Sequence, residues 1–485
     1  MEYISTRNKK NKTDSLRAVI KGLAEDGGLF VPAVIPPSGL TKEKLLSLSY
    51  DELAMHILGV LLPEYGESRI REIVTEGYRD KFDVPGRVAL RHAGDYSFLE
   101  LYHGPTSAFK DMALCLLPRL LTAANSLTGN PDKVMILTAT SGDTGKAALE
   151  AFADVPDTGI TVFYPAEGVS DIQKLQMQTQ KGGNVRVCSI DGNFDDAQTG
   201  VKKAFEDVHV KGVSLGSANS INIGRLTPQV AYYFYAYAQM VRDKKLEYGE
   251  KLNFSVPTGN FGDILAGWIA KKMGLPVGRL LCASNRNRIL TDFLESGIYD
   301  RRRDFYLTAS PSMDILISSN LERLLFYGLG MDDEALLGLM KDLAGKGWYK
   351  ASPELMDFIR ADFCGASADD EEAFASIKEL WEKEKYLMDT HTAVACACME
   401  KAKLKGKTVI LSTASPYKFS ASVLEALGEE VPEGCFEAMD KLEKITGVPK
   451  PERLGSLKEK TVLHRDVITP AEINDYVERA ANDLR

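Results

Sequence analysis

The chain has 485 residues and a formal net charge of −9, with 44% hydrophobic and 26% charged residues. This length gives room for two or three domains, and the composition is that of an ordinary globular protein. The acidic balance argues against nucleic acid or an anionic membrane as the main partner, although it does not exclude a phosphorylated metabolite. No run approaches the roughly 18 apolar residues of a membrane span, and the first residues lack a signal-peptide pattern.

Seven cysteines are scattered along the chain, mostly within apolar runs. An odd number of cysteines in a long chain is typical of reduced thiols in a cytosolic protein. No group of His or Cys residues has the spacing of a zinc site, so we expect no metal. We therefore expect a cytoplasmic protein.

Residues 1–95 read as a separate, mostly helical N-terminal domain. Residues 15–22 form a short amphipathic helix that ends at a glycine, residues 29–31 are strand-like, and residues 41–48 and 50–62 have helical spacing. No cluster of titratable groups occurs here, which predicts a role in packing.

From residue 96 the pattern changes to short apolar strands that alternate with helices. The clearest predicted strands are residues 134–138, 160–164, 185–190, 252–256 and 408–412. This alternation predicts an α/β core with largely parallel sheets over residues 96–485. Residues 430–485 are charged and helix-prone, with little functional signal.

The stretch His103-Gly-Pro-Thr-Ser-Ala-Phe-Lys-Asp111 lies between a predicted strand and a predicted helix. Lys110 would then sit near a helix start among apolar neighbours. A helix N-terminus and burial both lower the pKa of an amine, which favours a nucleophile able to form a Schiff base. The alternative is a lysine whose stem lies on apolar surface and whose head reaches water.

Three loops between a strand and a helix carry polar groups suited to anions. Residues 258–263, Thr-Gly-Asn-Phe-Gly-Asp, suit a phosphate bound by backbone N–H groups, or form an ordinary tight turn. Residues 140–145, Thr-Ser-Gly-Asp-Thr-Gly, suit a carboxylate, or simply cap a helix. Residues 219–225, Asn-Ser-Ile-Asn-Ile-Gly-Arg, suit a phosphate dianion, or form a capping turn with a surface arginine.

These segments resemble, in the same order, the motifs of the threonine synthase family, pyridoxal phosphate (PLP) enzymes of the tryptophan-synthase-β-like fold type II. The lysine segment carries the closest resemblance. Matches also occur at residues 3–7, 26–32, 141–145, 258–263, 310–315 and 412–416, so the resemblance runs from residue 3 to about residue 420. It implies two open, largely parallel α/β sheet domains, the smaller at about residues 130–225 and the larger from the rest of the core, beside the N-terminal domain.

The resemblance also implies roles for individual residues. Lys110 is expected to hold PLP and to be catalytic. The other residues expected at the cofactor are Asp143 at its phenolic oxygen, Gly259, Asn260, Phe261 and Gly262 at its phosphate, Asp263 as a helix cap or loop orienter, and Thr413 at its ring nitrogen. The residues expected at the substrate are Thr140, Ser141 and Thr144 for its carboxylate, and Asn219, Ser220 and Arg225 for its phosphate.

Three positions are less defined by the resemblance. Many fold type II enzymes have Asn where this chain has Asp143, and an anion facing a phenolate needs a shared proton. Lys418 could meet the substrate phosphate or be a surface lysine. His391 lies in an Asp-Thr-His-Thr loop where the family usually has proline after the aspartate, and we expect a structural histidine that could also line the site.

The implied reaction converts O-phospho-L-homoserine and water to L-threonine and phosphate, the last step of threonine biosynthesis. Two alternatives stay open at this point. One is a PLP-dependent phospho-lyase that releases 2-oxobutyrate, and the other is a non-catalytic protein that kept the fold. The sequence does not decide between a monomer and a homodimer.

Overall fold

The computed structural model describes residues 1–140, 142–166 and 169–485. Its N-terminal region combines a small antiparallel sheet with helices. These elements are β1 (Tyr3–Ser5), β2 (Asn8–Thr13), α1 (Ser15–Lys21), β3 (Phe30–Pro32), α2 (Lys42–Ser47), α3 (Tyr50–Leu61) and α4 (Glu67–Tyr78). The strand order is β2-β1-β3. The region is therefore mostly helical, as predicted.

Strands and helices then alternate through the first half of the core. The elements are β4 (Ala89–Ala93), β5 (Tyr96–Glu100), α5 (Asp111–Leu114), α6 (Leu117–Thr128), β6 (Lys133–Ala139), α7 (Asp143–Phe152), β7 (Thr158–Pro165), α8 (Asp171–Gln178), β8 (Val185–Ile190), α9 (Phe194–Asp207), β9 (Val213–Ser217), α10 (Ile223–Leu226), α11 (Val230–Arg242), β10 (Leu252–Pro257) and α12 (Gly262–Lys272). The glycines after β6 and β10 end these strands and start the helices that follow.

The second half of the core is richer in helices. The elements are β11 (Val277–Ser284), α13 (Ile289–Ser296), β12 (Ile298–Asp300), α14 (Leu321–Gly328), α15 (Asp333–Lys346), β13 (Trp348–Lys350), α16 (Pro353–Asp362), β14 (Phe363–Ser367), α17 (Asp370–Glu384), α18 (Thr390–Ala402), β15 (Thr408–Ser412), α19 (Ser420–Ala426), α20 (Cys435–Thr446), α21 (Glu452–Gly455), β16 (Asp466–Ile468) and α22 (Ile473–Leu484).

Two large sheets form the frame of the core. The six-stranded sheet has the order β14-β11-β10-β15-β5-β4, and the five-stranded sheet has the order β16-β8-β7-β6-β9. All neighbouring strands in these sheets run parallel except β4 and β5. This arrangement confirms the predicted fold class. Functional loops are expected where parallel strands end, because loops from several strands meet at one edge.

The smaller sheet reaches beyond the range expected for it. Its edge strand β16 comes from near the C-terminus and pairs in parallel with β8, and α22 packs on α9 and β7. The N-terminal apolar side chains share one hydrophobic core with those of the larger sheet, from Tyr3 to Leu411. The domain boundary near residue 95 stays a prediction.

Within the described ranges, no helix is both long and apolar enough to cross a bilayer. The same residues contain no group of three or more His, Cys, Asp or Glu side chains placed to share a metal ion.

Candidate active site

Lys110 lies in a tightly braced loop between β5 and α5. The Asp111 carboxylate accepts hydrogen bonds from the Thr106 N–H at 2.8 Å and the Thr106 hydroxyl at 2.7 Å. The Phe109 N–H donates to the Thr413 carbonyl oxygen at 2.8 Å, so the loop runs beside the segment that follows β15. These contacts hold Lys110 at the C-terminal edge of the larger sheet and directly before α5, near a helix start as predicted.

The Lys110 side chain is largely buried, with 12% of its surface exposed. Its Nζ atom lies 3.6 Å from Oδ2 of Asp143. Burial lowers the pKa of Lys110, Lys418 and Arg225 lower it further, and Asp143 opposes them. The net lowering favours a neutral, nucleophilic amine, and the burial weighs against a lysine whose head simply reaches water.

Asp143 is the first residue of α7 and is buried. Lys418 Nζ donates to its Oδ1 atom at 2.5 Å, and Gln173 Nε2 donates to the same oxygen at 2.9 Å. Burial alone would raise the pKa of Asp143, but Lys418 and Lys110 together hold it well below its usual range. Asp143 is therefore an anion that is shared between two lysines.

Lys418 is buried, so the alternative of a surface lysine is wrong. Its ammonium group also donates to the Thr106 carbonyl oxygen at 3.1 Å, within the Lys110 loop. Its contacts in this structure thus join two loops of the site.

His391 has the structural role that we expected. Its Nδ1 atom lies 2.9 Å from the Asp389 carboxylate, and its Nε2 atom accepts the Ser312 N–H at 3.1 Å. Because Asp389 can only accept and a backbone N–H can only donate, the neutral ring carries its proton on Nδ1. Ser312 in turn places its hydroxyl 3.4 Å from Asp143. His391 therefore acts on the site through Ser312.

Residues 258–261 form the loop between β10 and α12. Phe261 precedes the helix with a φ of 63°, and no side chain caps the helix N-terminus among the described residues. A Cβ atom on Gly259 would lie 2.7 Å from the Ser312 carbonyl oxygen, so this position needs glycine. The Asn260 side chain is exposed, and Gly262 opens the helix. The free N–H groups of an 11-residue helix form a site suited to phosphate.

Asp263 does not cap α12, although we expected a cap or a loop orienter. Its Oδ1 atom accepts hydrogen bonds from the Tyr232 hydroxyl at 2.6 Å and the Tyr233 hydroxyl at 2.9 Å, both from α11. Burial raises the pKa of Asp263 to about 6. Its inward side chain fixes the start of the helix and leaves the N–H groups free, which suits the alternative of a loop orienter.

Arg225 lies in α10 and is buried, so it is not the surface arginine of the alternative interpretation. One guanidinium nitrogen donates to the Ala218 carbonyl oxygen at 2.5 Å, and Nε has no partner among the residues that the structure describes. Burial lowers the pKa of Arg225 to about 10. A buried cation without a carboxylate partner is a natural anion site.

Asn320 connects the two loops expected to bind phosphate, and sequence reasoning missed it. Its Nδ2 atom donates to the Asn260 carbonyl oxygen at 3.0 Å and lies 3.3 Å from the Ser220 hydroxyl. Its Oδ1 atom accepts from Arg323, a buried arginine that also donates to the Phe30 carbonyl oxygen at 3.0 Å and the Ile221 carbonyl oxygen at 2.5 Å. Asn320 follows the motif at residues 310–315 closely, which was the only signal available.

The remaining predicted site residues differ in their burial and in their contacts. The Thr140 hydroxyl accepts the N–H groups of Gly142 at 3.0 Å and Gly145 at 2.9 Å, so it braces its own loop. Thr144 and Asn219 are half-buried, and Thr413 is buried beside the Lys110 loop. Ser141 lies outside the described residues. The ligand contacts of all predicted site residues stay predictions.

The residues present fit PLP. The Lys110 amine is largely buried, its pKa is lowered, and it lies beside the charged pair of Asp143 and Lys418. Arg225 acts electrostatically on Lys110, and its Nε has no partner among the described residues. A helix N-terminus without a side-chain cap supplies donors for the cofactor phosphate. The charge of Lys110 also lowers the pKa of Asp263 at the start of that helix, so the amine and the helix N-terminus belong to one site.

Three family models match the chain: Threonine synthase N terminus over residues 2–78, Pyridoxal-phosphate dependent enzyme over residues 94–415, and Threonine synthase, C-terminal over residues 392–468. The threonine synthase of Schizosaccharomyces pombe is 37% identical over 468 residues, which cover 88% of this chain and 89% of that protein. Threonine synthase-like 1 of Macaca fascicularis is 37% identical over 429 residues, and the chain spans 57% of its length.

The fold comparison agrees with the sequence comparisons. The crystal structure of PLP-bound threonine synthase from Brucella melitensis superposes with a TM-score of 0.87 at 37% identity, covering 99% of each chain. The pyridoxal-phosphate model alone covers well over half of this chain. The chain therefore belongs to the threonine synthase family of pyridoxal-phosphate-dependent enzymes.

Proposed function

We propose that the chain converts O-phospho-L-homoserine and water to L-threonine and inorganic phosphate. In this reaction the C–O bond at Cγ breaks and phosphate leaves. The hydroxyl of water adds at Cβ, and Cγ ends as a methyl group, so that all atoms balance. The enzyme is a carbon–oxygen lyase that acts on a phosphate ester.

The observation that carries this proposal is the pairing of two anion sites beside one amine. Asn320 contacts both the loop before α12 and Ser220, so the two sites are neighbours. One site serves the phosphate of PLP, and the other, with Arg225, serves a phosphate on the substrate. A dehydratase acting on free serine or threonine would have no use for the second site.

The cofactor would be held by Lys110, by the backbone of residues 259–262 and by Asp143, with Thr413 facing its ring nitrogen. When bound, PLP supplies an electron sink that makes the protons next to the substrate amine acidic. The low pKa of Asp143 keeps it charged, and Lys418 balances that charge.

Lys110 moves the protons. Its lowered pKa favours the neutral form of the amine, which a general base requires. The freed amine takes the proton from Cα and shuttles protons at Cβ and Cγ. Burial of the amine limits competing exchange with water.

The remaining donors orient the substrate. Thr140 precedes α7 and Thr144 lies in its first turn, and with Ser141 they would offer hydroxyl and N–H groups to the carboxylate of the substrate. Arg225, Asn219 and Ser220 hold its phosphate, so that the scissile bond at Cγ is fixed relative to Lys110. Neutralisation of the phosphate by the buried guanidinium also makes it a better leaving group.

The test is product analysis with purified protein, PLP and O-phospho-L-homoserine. We expect equal amounts of threonine and phosphate, and loss of both in the variant Lys110→Ala. The matched control is Lys146→Met, which removes another buried lysine, one paired with Glu150 at 2.9 Å on the same helix as Asp143. Phosphate with 2-oxobutyrate would assign the chain to the phospho-lyases, and no phosphate would refute the choice of substrate.

A cytoplasmic setting belongs to the same proposal. All seven cysteines are free thiols in the structure, as the reducing cytosol favours. Cell fractionation with an antibody to the chain would test it, and sedimentation would distinguish a monomer from a homodimer.

A further inference from the structure

Lys418 occupies an unusual position for a lysine. It lies in the short helical turn Pro416–Phe419 after β15, and its side chain is fully buried. Its two hydrogen-bond acceptors are Asp143 Oδ1 at 2.5 Å and the Thr106 carbonyl oxygen at 3.1 Å. A buried ammonium needs a counter-charge, and Asp143 provides it.

The two oxygens of Asp143 face different lysines. Oδ1 lies 2.5 Å from Lys418, and Oδ2 lies 3.6 Å from Lys110. With Lys110 protonated, the three groups carry a net charge of +1. With Lys110 neutral, their net charge is zero, which burial favours. Without Lys418, burial would favour the protonated form of Lys110, because only the Lys110 ammonium could then neutralise Asp143.

We propose that Lys418 is a positioning residue that supplies the counter-charge of Asp143 and so allows the Lys110 amine to lose its proton. The inference rests on the proposed role of Lys110 as proton carrier. It explains how Asp143 can function at a position where many fold type II enzymes have Asn. Lys418 acts as the charged partner of Asp143, and not as a ligand of the substrate phosphate.

The other groups around the cluster do not replace Lys418. Gln173 and Ser312, which contact Asp143, are neutral. Arg225 acts on Lys110 from α10, and Lys110 acts on Asp263 from the loop before α5. Asp111 acts on neither oxygen of Asp143 directly, since its carboxylate is bound to Thr106.

The test measures the neutral fraction of the Lys110 amine directly, without substrate. Full-length protein freed of PLP is labelled with a trace of acetic anhydride across a pH series, and acetylation of Lys110 is quantified by mass spectrometry. Only the neutral amine reacts. The variants are Lys418→Met, Asp143→Asn and the double variant, with Lys146→Met as the control for loss of a buried lysine elsewhere.

We expect Lys418→Met to slow acetylation of Lys110 at pH 7.5 by at least about tenfold, which corresponds to a pKa raised by one unit. The double variant should return to within about threefold of the wild type, because both charges are gone. Lys146→Met should leave the rate unchanged. An unchanged rate in Lys418→Met would overturn the proposal.

A second comparison covers the case in which Lys418→Met does not fold. Removing both members of a buried pair is far milder than removing one, so the double variant should fold. Without the Asp143 carboxylate, the buried Lys418 has no counter-charge and should lose its proton, so the double variant and Asp143→Asn should label at similar rates. A tenfold slower rate in the double variant would mean that Lys418 keeps its charge and acts on Lys110 without Asp143, which contradicts the proposal. The rate of PLP uptake by the same proteins gives an independent readout.

Discussion

The buried charge of Arg225, which we propose binds an anion, should lower the free energy of unfolding of the cofactor-free protein. Replacing it with Met removes the charge but keeps most of the apolar stem. We predict that Arg225→Met stabilises the cofactor-free protein. The matched control is Arg323→Met, which removes an equally buried arginine whose pKa is also lowered to about 10 by burial.

The magnitude follows from the structure. Burial lowers the pKa of Arg225 from 12.5 to about 10, and at about 1.4 kcal/mol per unit the confined charge costs roughly 3 kcal/mol. Losing its hydrogen bond leaves the Ala218 carbonyl oxygen unpaired, which costs about 1–2 kcal/mol. The net expectation for Arg225→Met is a gain of about 1–2 kcal/mol in the free energy of unfolding.

Arg323 differs because three acceptors depend on it: Phe30, Ile221 and Asn320. Leaving two buried oxygens and one part-buried oxygen unpaired outweighs the relief of the charge, so Arg323→Met should destabilise by about 3 kcal/mol or more. Urea unfolding followed by tryptophan fluorescence measures both. Inorganic phosphate should stabilise the wild type more than Arg225→Met, which keeps only the phosphate site at the start of α12. Destabilisation of Arg225→Met by more than about 2 kcal/mol would refute the reasoning.

Two further predictions concern the start of α12. Burial raises the pKa of Asp263 to about 6 from 3.8. Between these two pH values the folded state binds more protons than the unfolded state, so the stability of the wild type falls as the pH rises. Urea unfolding should therefore show the stability of Asp263→Asn, relative to wild type, improving by up to about 3 kcal/mol between pH 4 and pH 7.5, whereas a constant difference would contradict the assignment. Gly259→Ala should destabilise by about 1–3 kcal/mol, since its Cβ would meet the Ser312 carbonyl oxygen at 2.7 Å. Gly262→Ala, whose Cβ would meet Asn320 at an ordinary 3.4 Å, should change thermal stability little, and equal losses in the two variants would contradict this.

The alternation of strands and helices predicted the core well because parallel strands are buried on both faces and leave long apolar runs. The resemblance then identified the Lys110 segment and the loop before α12. By contrast, β2 has the sequence Asn-Lys-Lys-Asn-Lys-Thr, with no apolar residue to reveal a strand. It forms because β1 offers a partner, and such pairing is not visible in local pattern.

The charges of the site could not be predicted because they come from distant parts of the chain. Lys418 meets Asp143 across 275 positions, and Ser312 meets it across 169. Sequence reasoning treated Lys418 as a surface lysine or a phosphate ligand, since nothing local shows that its turn folds under the Lys110 loop. Asp263 was expected partly as a cap for the same reason, because its tyrosine partners lie on α11.

The contacts of Glu322 and Arg323 at the start of α14 join the N-terminal region to the core. Glu322 accepts hydrogen bonds from Thr6 at 2.6 Å and from Arg7 at 3.0 and 2.8 Å, while Arg323 reaches Phe30. A fragment trimmed to residues 94–415 would keep Lys110 and both anion loops. It would nevertheless expose the shared apolar core and leave the buried charges of Glu322 and Arg323 without their N-terminal partners. We therefore expect this fragment to lose the shape of the site and to bind no ligand.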